Sequence, residues 1–324
     1  MSSSPFVLVE SSIAQLHAAI QSGQTTCVQV VQEYLERARR YNGVSTRLLT
    51  RDGAPLKGEL PGTVRAESPL VFPMETVRAD TLLPDYEHML ETLGVQRAAL
   101  VQGSIYGTDN TVLLEALKAG RGRYRGVAVV SPDISANELR ALHDAGVRGV
   151  RMNIVDTKDN KGVLPMATLR PLAEKIKPFG WHVEFLLHVD EFPDLDRTLE
   201  NFPVDVSFGH LGYMRTDKPL ATSGFQALLR LMKSGKAWVK LTAPYRISPN
   251  PMPHADVTPF AHALVEANAD RLLWGSDWGH IMLNWKIPMP NDGDIADLLT
   301  AWVPDEATRK KILVDNPAAL YGFA

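Results

Sequence analysis

A stretch near the carboxyl end of the chain, RLLWGSDWGH from Arg271 to His280, carries side chains that could perform catalysis. Its apolar start predicts a buried strand, and Asp277 follows where that strand ends. A buried carboxylate must be paired, bound to a metal or catalytic, because an isolated charge is too costly to bury. Alternatively, Asp277 caps the next helix. The remaining strand ends bear on the choice between these two roles.

Polar and titratable side chains also end most of the other predicted strands. In chain order they are Ser104, Tyr106, Asp109, Asn110, Arg151, Asn153, His188, Asp190, His210, Lys240, Arg246, Asp277 and His280. In a parallel barrel the carboxyl ends of the strands build the active site. Each side chain alone has a structural explanation, such as a core histidine for His210, but together they indicate a functional face. His182 begins its strand, and we expect it to be structural.

Seven apolar strands alternate with helices between residues 86 and 278, which predicts a parallel sheet. The strands are predicted at 97–104, 125–132, 148–154, 182–189, 205–212, 237–244 and 271–278. The helices are predicted at 86–93, 111–119, 136–145, 169–179, 194–201, 225–234, 259–267 and 305–315, the last stopped by Asn316 and Pro317.

Seven strands are one short of an α/β fold of the (β/α)8 TIM-barrel type. We therefore predict a TIM-barrel-like fold with an atypical first strand, formed by residues 68–72 or 47–50. An open doubly wound sheet is the alternative, although no Gly-rich phosphate loop follows any predicted strand.

The amino-terminal region differs from the repeating part. Ser12 with Gln15, and Thr26 with Gln29, have the pattern of capping boxes and predict a helical hairpin. Residues 51–85 are rich in Pro and Gly and predict a connector. Residues 11–56 resemble the N-terminal segment of amidase-signature amidases, but the Gly/Ser-rich core that carries that family's catalysis does not follow. We expect an amidase-like segment at 1–75 and a barrel domain at 76–324.

Composition narrows the functional class. The net charge is −3, and the sequence shows no basic patch that would favour binding to nucleic acid. The single cysteine, Cys27, excludes an internal disulfide and a cysteine metal cluster. We see no signal peptide and no apolar run near the ~20 residues that cross a bilayer. We therefore expect a cytoplasmic protein that acts on a small molecule and has no nucleic-acid or membrane partner. The composition does not predict an oligomeric state.

Several stretches resemble the amidohydrolase-related hydrolases, in particular the 2-pyrone-4,6-dicarboxylate lactonases. They are VQGSIYGTDN, DAGVRGVRMN, GWHVEF, GHLG, WVKLTAPYR, LLWGSDWGH and LVDNPAALYGF. The resemblance covers about residues 78–324. It implies the barrel fold and an enzyme of aromatic degradation that opens a lactone, or a related ring, in a carboxylated substrate.

The hydrolase hypothesis gives each polar strand end a role. Asp277 is the general base for water, His210 polarises the scissile carbonyl or holds the oxyanion, and His188 is the third catalytic residue. The predicted substrate-binding residues are Ser104, Tyr106, Asn110, Arg151, Lys240, Arg246 and His280. Among these, the basic side chains clamp carboxylates, and arginine does so through its bidentate fork.

The chain departs from the family pattern in its metal ligands and its anion clamp. No two of the nine histidines form the His-x-His pair of this superfamily, and Lys158 and Tyr213 stand near positions where the lactonases have other basic residues. We therefore expect no cofactor, with one zinc on His188, His210 and Asp277 as the alternative. The alternative functions are a catalytically impaired chimera that binds ligands and a metal-dependent decarboxylase of the same superfamily.

Overall fold

The computed structural model describes residues 13–33, 82–155, 162–280 and 290–323. Among these, 13–33 and 82–89 belong to one compact unit, and the residues from Leu90 onward belong to a second. In the first unit, α1 spans Ile13–Gln21 and α2 begins at residue 27. Thr26 and Gln29 exchange hydrogen bonds of 2.9 and 3.2 Å as the predicted capping box. Ser12 lies outside the described residues.

The second unit contains seven parallel strands in one sheet, ordered β1 to β7 along the chain, which confirms the predicted parallel sheet. The strands are β1 Ala98–Val101, β2 Tyr124–Ala128, β3 Val147–Asn153, β4 His182–Leu186, β5 Val206–Phe208, β6 Ala237–Leu241 and β7 Leu272–Trp274.

The helices are α3 Leu83–Thr92, α4 Thr111–Ala119, α5 Ala136–Asp144, α6 Met166–Ile176, α7 Leu195–Leu199, α8 Ser223–Lys233, α9 Thr258–Asn268, α10 Asp292–Trp302, α11 Glu306–Lys310 and α12 Asn316–Tyr321. Within the described ranges, none of them is long and apolar enough to cross a membrane.

The sheet is curled rather than flat. One buried cluster joins strands from both of its ends, with Val127 of β2, Trp238 of β6, Leu273 of β7 and, packed against them, Ala99 and Val101 of β1. Strands so far apart in the order can share a core only if the sheet bends round toward itself. The described strands therefore form the seven-stranded part of the predicted TIM-barrel-like fold. Both predicted positions of the first strand, 47–50 and 68–72, lie outside the described residues.

Six of the seven strands are shorter than predicted, and this places most of the polar residues just beyond them. Short 3-10 turns follow β1, β4, β5 and β6, at Ser104–Tyr106, Val189–Glu191, His210–Tyr213 and Pro244–Arg246. The carboxyl ends of parallel strands lie at one edge of the sheet, so these turns share one face of the barrel.

The carboxyl-terminal region contains a helix that the sequence pattern did not indicate. The amides of Gly293 and Asp294 donate to the side chain of Asn291, which caps α10 at distances of 2.8 and 3.1 Å. The predicted helix stop at Pro317 is wrong, because this proline lies in the first turn of α12. A missing amide hydrogen costs nothing in a first turn.

Candidate active site

The loops after β5 and β7 bring His210 and Asp277 together. His210 Nε2 lies 3.9 Å from Asp277 Oδ1, and the two side chains are 12% and 18% exposed. Burial lowers the pKa of His210 to about 3; Asp277 opposes this decrease, and the cations Arg246, Arg151 and Lys240 add to it. His210 is therefore neutral near pH 7 and offers an N–H donor rather than a positive charge.

Asp277 is held by the turn that follows β6. Arg246 donates from Nε to Asp277 Oδ2 at 2.6 Å, and the Tyr245 hydroxyl donates to the same oxygen at 2.6 Å. Burial favours the protonated acid, but the charge of Arg246, the neighbouring imidazoles of His210 and His280 and the Tyr245 hydrogen bond lower the pKa of Asp277 to about 2. Asp277 is therefore an ionised carboxylate. It does not cap α10, the described helix that follows it.

His188 joins this pair through Tyr213. His188 Nδ1 lies 3.0 Å from the Tyr213 carbonyl oxygen. The rings of His188 and His210 both meet the Tyr213 ring edge-on, with centroid distances of 5.0 and 4.9 Å. The structure thus brings His188, His210 and Asp277 together on the face formed by the strand ends.

The three basic residues assigned to the substrate are not equivalent. Arg246 pairs with Asp277, and Lys240 pairs with Glu184, a buried carboxylate of β4 that the sequence analysis did not select. Arg151 donates from Nη1 to a backbone carbonyl at 2.7 Å. Within the described part of the chain, its Nε has no hydrogen-bond partner and no carboxylate pairs with it. Arg151 is therefore the cation with the most capacity left for an anion. Lys158 lies outside the described residues.

The polar residues after β1 differ in their availability. Ser104 is buried and accepts a hydrogen bond from Asn153 Nδ2 at 2.8 Å. Asn110 donates to the carbonyl of Val129 at 2.8 Å and accepts from its amide at 3.2 Å, which ties this loop to the end of β2. Tyr106 is 46% exposed. Of the three predicted binding residues, Ser104 alone is buried, and the amide of Asn110 is already used by the backbone.

A buried pair that the sequence analysis did not identify lies behind Asp277. The Tyr245 hydroxyl is 2.7 Å from His280 Nδ1, and His280 Nε2 is 3.2 Å from Asp292 Oδ1. The side chains of His280 and Asp292 are 1% and 3% exposed. His280 was expected to bind substrate, but it has almost no surface with which to contact one. Asp292 gave no signal in the sequence, because the helix that it begins was not predicted.

The backbone of these loops is strained. Ala243, His210, Tyr213, Asp277 and His280 all have φ angles between 48° and 60°. This left-handed conformation is uncommon for residues other than glycine, and such conformations cost about 1–3 kcal/mol each. Strained residues cluster at functional sites. The backbone therefore marks the loops after β5, β6 and β7 independently of their side-chain chemistry.

The described residues do not fit a zinc ion. Within the described ranges, no group of three or more His, Cys, Asp or Glu side chains is arranged to hold a metal. The candidate ligand Asp277 directs Oδ2 to both Arg246 and Tyr245. A guanidinium this close repels a second cation at the same carboxylate. No step of the reaction below passes through a metal.

Comparison with known proteins places these residues in a family context. The amidohydrolase family profile matches residues 72–323. The 2-pyrone-4,6-dicarboxylate hydrolase of Comamonas testosteroni is 37% identical over 238 residues, which cover 71% of this chain and 77% of that protein. The 4-sulfomuconolactone hydrolase of Rhizobium radiobacter is 34% identical over 256 residues, 78% of this chain and 85% of that protein.

A crystal structure of a protein from Pseudomonas putida is similar in fold. It superposes with a TM-score of 0.69 at 34% identity and covers 76% of this chain and 90% of that one.

Proposed function

Since the chain belongs to the amidohydrolase family, we propose that it is a hydrolase that opens a lactone bearing a further anionic group. Two similar proteins are named as hydrolases of a pyrone dicarboxylate and of a sulfomuconolactone. The observation that carries the proposal is the pair formed by His210 and Asp277, a neutral N–H donor 3.9 Å from an ionised carboxylate. Attack by water on an ester carbonyl requires both of these groups.

In the proposed reaction, water attacks the carbonyl carbon of the lactone. His210 donates an N–H hydrogen bond to the carbonyl oxygen, which gains negative charge as the new C–O bond forms. Asp277 accepts a proton from the attacking water. Because the pKa of Asp277 is about 2, it gives up that proton readily to the ring oxygen when the ring C–O bond breaks. The products are a carboxyl group and a hydroxyl or enol group on the opened chain.

Arg151 is the proposed main contact for the anionic group of the substrate. Its guanidinium lies close enough to lower the pKa of His210, and no carboxylate among the described residues pairs with it. Lys240 contributes less, because Glu184 already neutralises it. Arg246 serves first as the counter-charge of Asp277.

We propose that residues 76–324 carry the chemistry and that residues 1–75 form an amidase-like segment and connector. Two observations support this division: the family match begins at residue 72, and the amidase-like segment lacks that family's catalytic core. We further propose a cytoplasmic location, which fits a chain with a single cysteine.

The test is turnover of 2-pyrone-4,6-dicarboxylate by the purified full-length protein, followed as loss of the ring absorbance. We expect Asp277→Asn to lower kcat by at least about 10²-fold. The matched control is Asp205→Asn, since Asp205 precedes β5 at the opposite end of the barrel and pairs with Arg271. A chelator should leave the rate unchanged.

Three results would contradict the proposal. Absence of turnover of any lactone by the folded protein contradicts the function. Full activity of Asp277→Asn removes the general base. Inactivation by the chelator that zinc reverses overturns the metal-free reaction.

A further inference from the structure

The proposed reaction leaves one buried pair without a role. Resting on that proposed function, we propose that His280 and Asp292 are positioning residues, which hold the hydroxyl proton of Tyr245 on Asp277 and so keep that carboxylate ready to receive water. Neither residue touches the substrate. They act through Tyr245, the link between the buried pair and the candidate base.

The starting point is the position of the Tyr245 hydroxyl. It lies 2.6 Å from Asp277 Oδ2 and 2.7 Å from His280 Nδ1, so both neighbours are within hydrogen-bond distance. A hydroxyl has one proton and can donate it to only one of them, while its oxygen can accept from the other. The charge on His280 therefore decides which neighbour receives the proton.

The carboxylate of Asp292 determines that charge. Asp292 is 3% exposed, and among the described residues neither of its oxygens has a hydrogen-bond partner. The basic group beside it in the described part of the chain is His280 Nε2, at 3.2 Å from Oδ1. A buried carboxylate without a counter-charge is too costly, so His280 must place a proton on Nε2. Asp292 is also the first residue of α10, where the helix dipole favours a negative charge.

With both ring nitrogens protonated, His280 links an ion pair to two hydrogen bonds. Nε2 lies 3.2 Å from Asp292 Oδ1 in the ion pair, Nδ1–H donates to the Tyr245 oxygen, and the Tyr245 hydroxyl donates to Asp277. If Asp292 loses its charge, His280 becomes neutral and Nδ1 can accept a proton instead. Tyr245 then turns its proton toward His280, and Asp277 loses one hydrogen bond and a nearby positive charge.

The other described residues around Asp277 do not replace this hydrogen bond. Arg246 occupies the same oxygen through Nε, and His210 Nε2 lies 3.9 Å from the other oxygen, beyond hydrogen-bond distance. Among the described residues, loss of the Tyr245 proton thus leaves Asp277 with Arg246 as its close donor. A carboxylate held by one donor is free to rotate, and it is a stronger base, because the hydrogen bond had lowered its pKa.

The kinetic test is a double-mutant cycle in the full-length protein. Asp292→Asn and Tyr245→Phe should each lower kcat by about 10-fold, the usual effect of one hydrogen bond to a charged group. Because Asp292 acts through Tyr245, the double variant should be no slower than Tyr245→Phe. The acid limb of the kcat/KM profile should move to higher pH in both single variants, and Asp292→Glu, which keeps the charge, should restore much of the rate.

If kcat of the double variant were about 100-fold below that of the wild type, the two decreases would multiply. Free-energy effects add in this way only at independent sites, so this result would overturn the proposal. An unmoved acid limb would overturn it as well. Asp205→Asn is the matched control, because it removes a carboxylate at the opposite end of the barrel and should change neither kcat nor the pH profile.

A second measurement needs no turnover and therefore separates this proposal from the proposed function. In the protein labelled with ¹⁵N-histidine, the ring of His280 should show two protonated nitrogens at pH 7, and it should become neutral in Asp292→Asn. The His280 signal is the one that His280→Gln removes; if that variant does not fold, it is the signal that responds to both Tyr245→Phe and Asp292→Asn. A neutral His280 ring in the wild type overturns the proposal even if lactones are hydrolysed.

Discussion

Arg246 and Asp277 form an ion pair inside the site, in which the Arg246 Nε atom lies 2.6 Å from Asp277 Oδ2 and the side chains are 10% and 18% exposed. From the sequence, Arg246 was expected to bind the substrate and Asp277 to activate water, but in the structure the two side chains bind each other. Burial alone would favour a protonated carboxyl. The pair therefore explains how Asp277 stays ionised where a carboxylate would otherwise be destabilised.

Breaking this pair should destabilise the fold. In Arg246→Met the charge of Asp277 remains buried without its guanidinium, and we expect the free energy of unfolding to fall by about 3 kcal/mol. Urea denaturation at pH 7 measures the change. The double variant Arg246→Met with Asp277→Asn should recover part of it, because it removes the unpaired charge.

A surface ion pair provides the control for this prediction. Arg230 binds Asp196, and the Arg230 side chain is 55% exposed. Arg230→Met should therefore lower the free energy of unfolding by less than about 1 kcal/mol. Equal losses in Arg246→Met and Arg230→Met would contradict the view that the pair of Arg246 and Asp277 behaves as a buried one.

The parallel sheet and the face that carries the site could be predicted from sequence, because both depend on local patterns. Apolar runs alternating with helices give the strand order, and polar residues after those runs mark the carboxyl ends. The strand ends themselves could not be placed. Leu187 and Leu211 continue the apolar pattern although β4 ends at Leu186 and β5 at Phe208. Burial extends into the turns there, while the sheet does not.

The pairing of charges could not be predicted, since it depends on which loops meet in space. Glu184 stands in an apolar strand 56 residues before Lys240, and no local pattern links the two. Asp292 lies in a helix that the sequence pattern did not indicate, so the partner of His280 was missed. Sequence patterns identify which groups can titrate, but only the packing of the loops decides their partners.

Gly224 should be required for the position of the turn that follows His188. A Cβ atom at residue 224 would lie 1.8 Å from the carbonyl oxygen of Val189, the first residue of that turn. In Gly224→Ala, α8 and the turn must therefore separate. We expect the free energy of unfolding to fall by about 1–3 kcal/mol. A displacement near 1 Å at the site can lower kcat/KM by up to about 10²-fold.

Gly209 is the matched control for this substitution. It directly precedes His210, has a φ of −72°, and its added Cβ would meet the nearest atom, Leu186 Cδ1, at an ordinary 3.5 Å. Gly209→Ala should leave stability unchanged or raise it by about 0.4–1 kcal/mol. If thermal denaturation shows that both variants are equally tolerated, close packing of α8 on Val189 does not position the turn.

Arg151→Ala should chiefly raise KM. The Arg151 guanidinium binds the anionic group in both the ground state and the transition state, so its loss weakens binding without slowing the chemical step. We expect KM for a pyrone dicarboxylate to rise by about 10–100-fold, the range for hydrogen bonds to charged groups. Steady-state kinetics should show little change for a lactone that lacks the carboxylates.

The control for this prediction is Arg170→Ala on α6, which removes an exposed guanidinium bonded to a backbone carbonyl at 3.0 Å. Arg170→Ala should leave both KM and kcat unchanged. A fall in kcat in Arg151→Ala, with KM constant, would instead place Arg151 on the reacting group.

His182 should make the fold less stable as the pH falls. Its ring is 1% exposed, lies against Gly149 and meets the edge of the Tyr321 ring at 5.5 Å. Burial lowers the pKa of His182 from 6.5 to about 4, with Lys240 adding to the decrease and Glu184 opposing it. Between these two pH values the unfolded chain binds a proton that the folded protein does not. The stabilisation is therefore complete above about pH 6.5 and is lost as the pH falls toward 4.

The expected loss from this one residue is about 3 kcal/mol, because each pKa unit corresponds to about 1.4 kcal/mol. His210, whose pKa is lowered to about 3, acts in the same direction. His182→Phe keeps a planar ring against Gly149 and removes the titration, so its free energy of unfolding should fall less than that of the wild type between pH 6.5 and 4.5. The exposed His262 serves as the control, and His262→Gln should keep the wild-type pH dependence. Parallel curves for the wild type and His182→Phe in denaturant titrations across this range would show that protonation of His182 is not what weakens the fold.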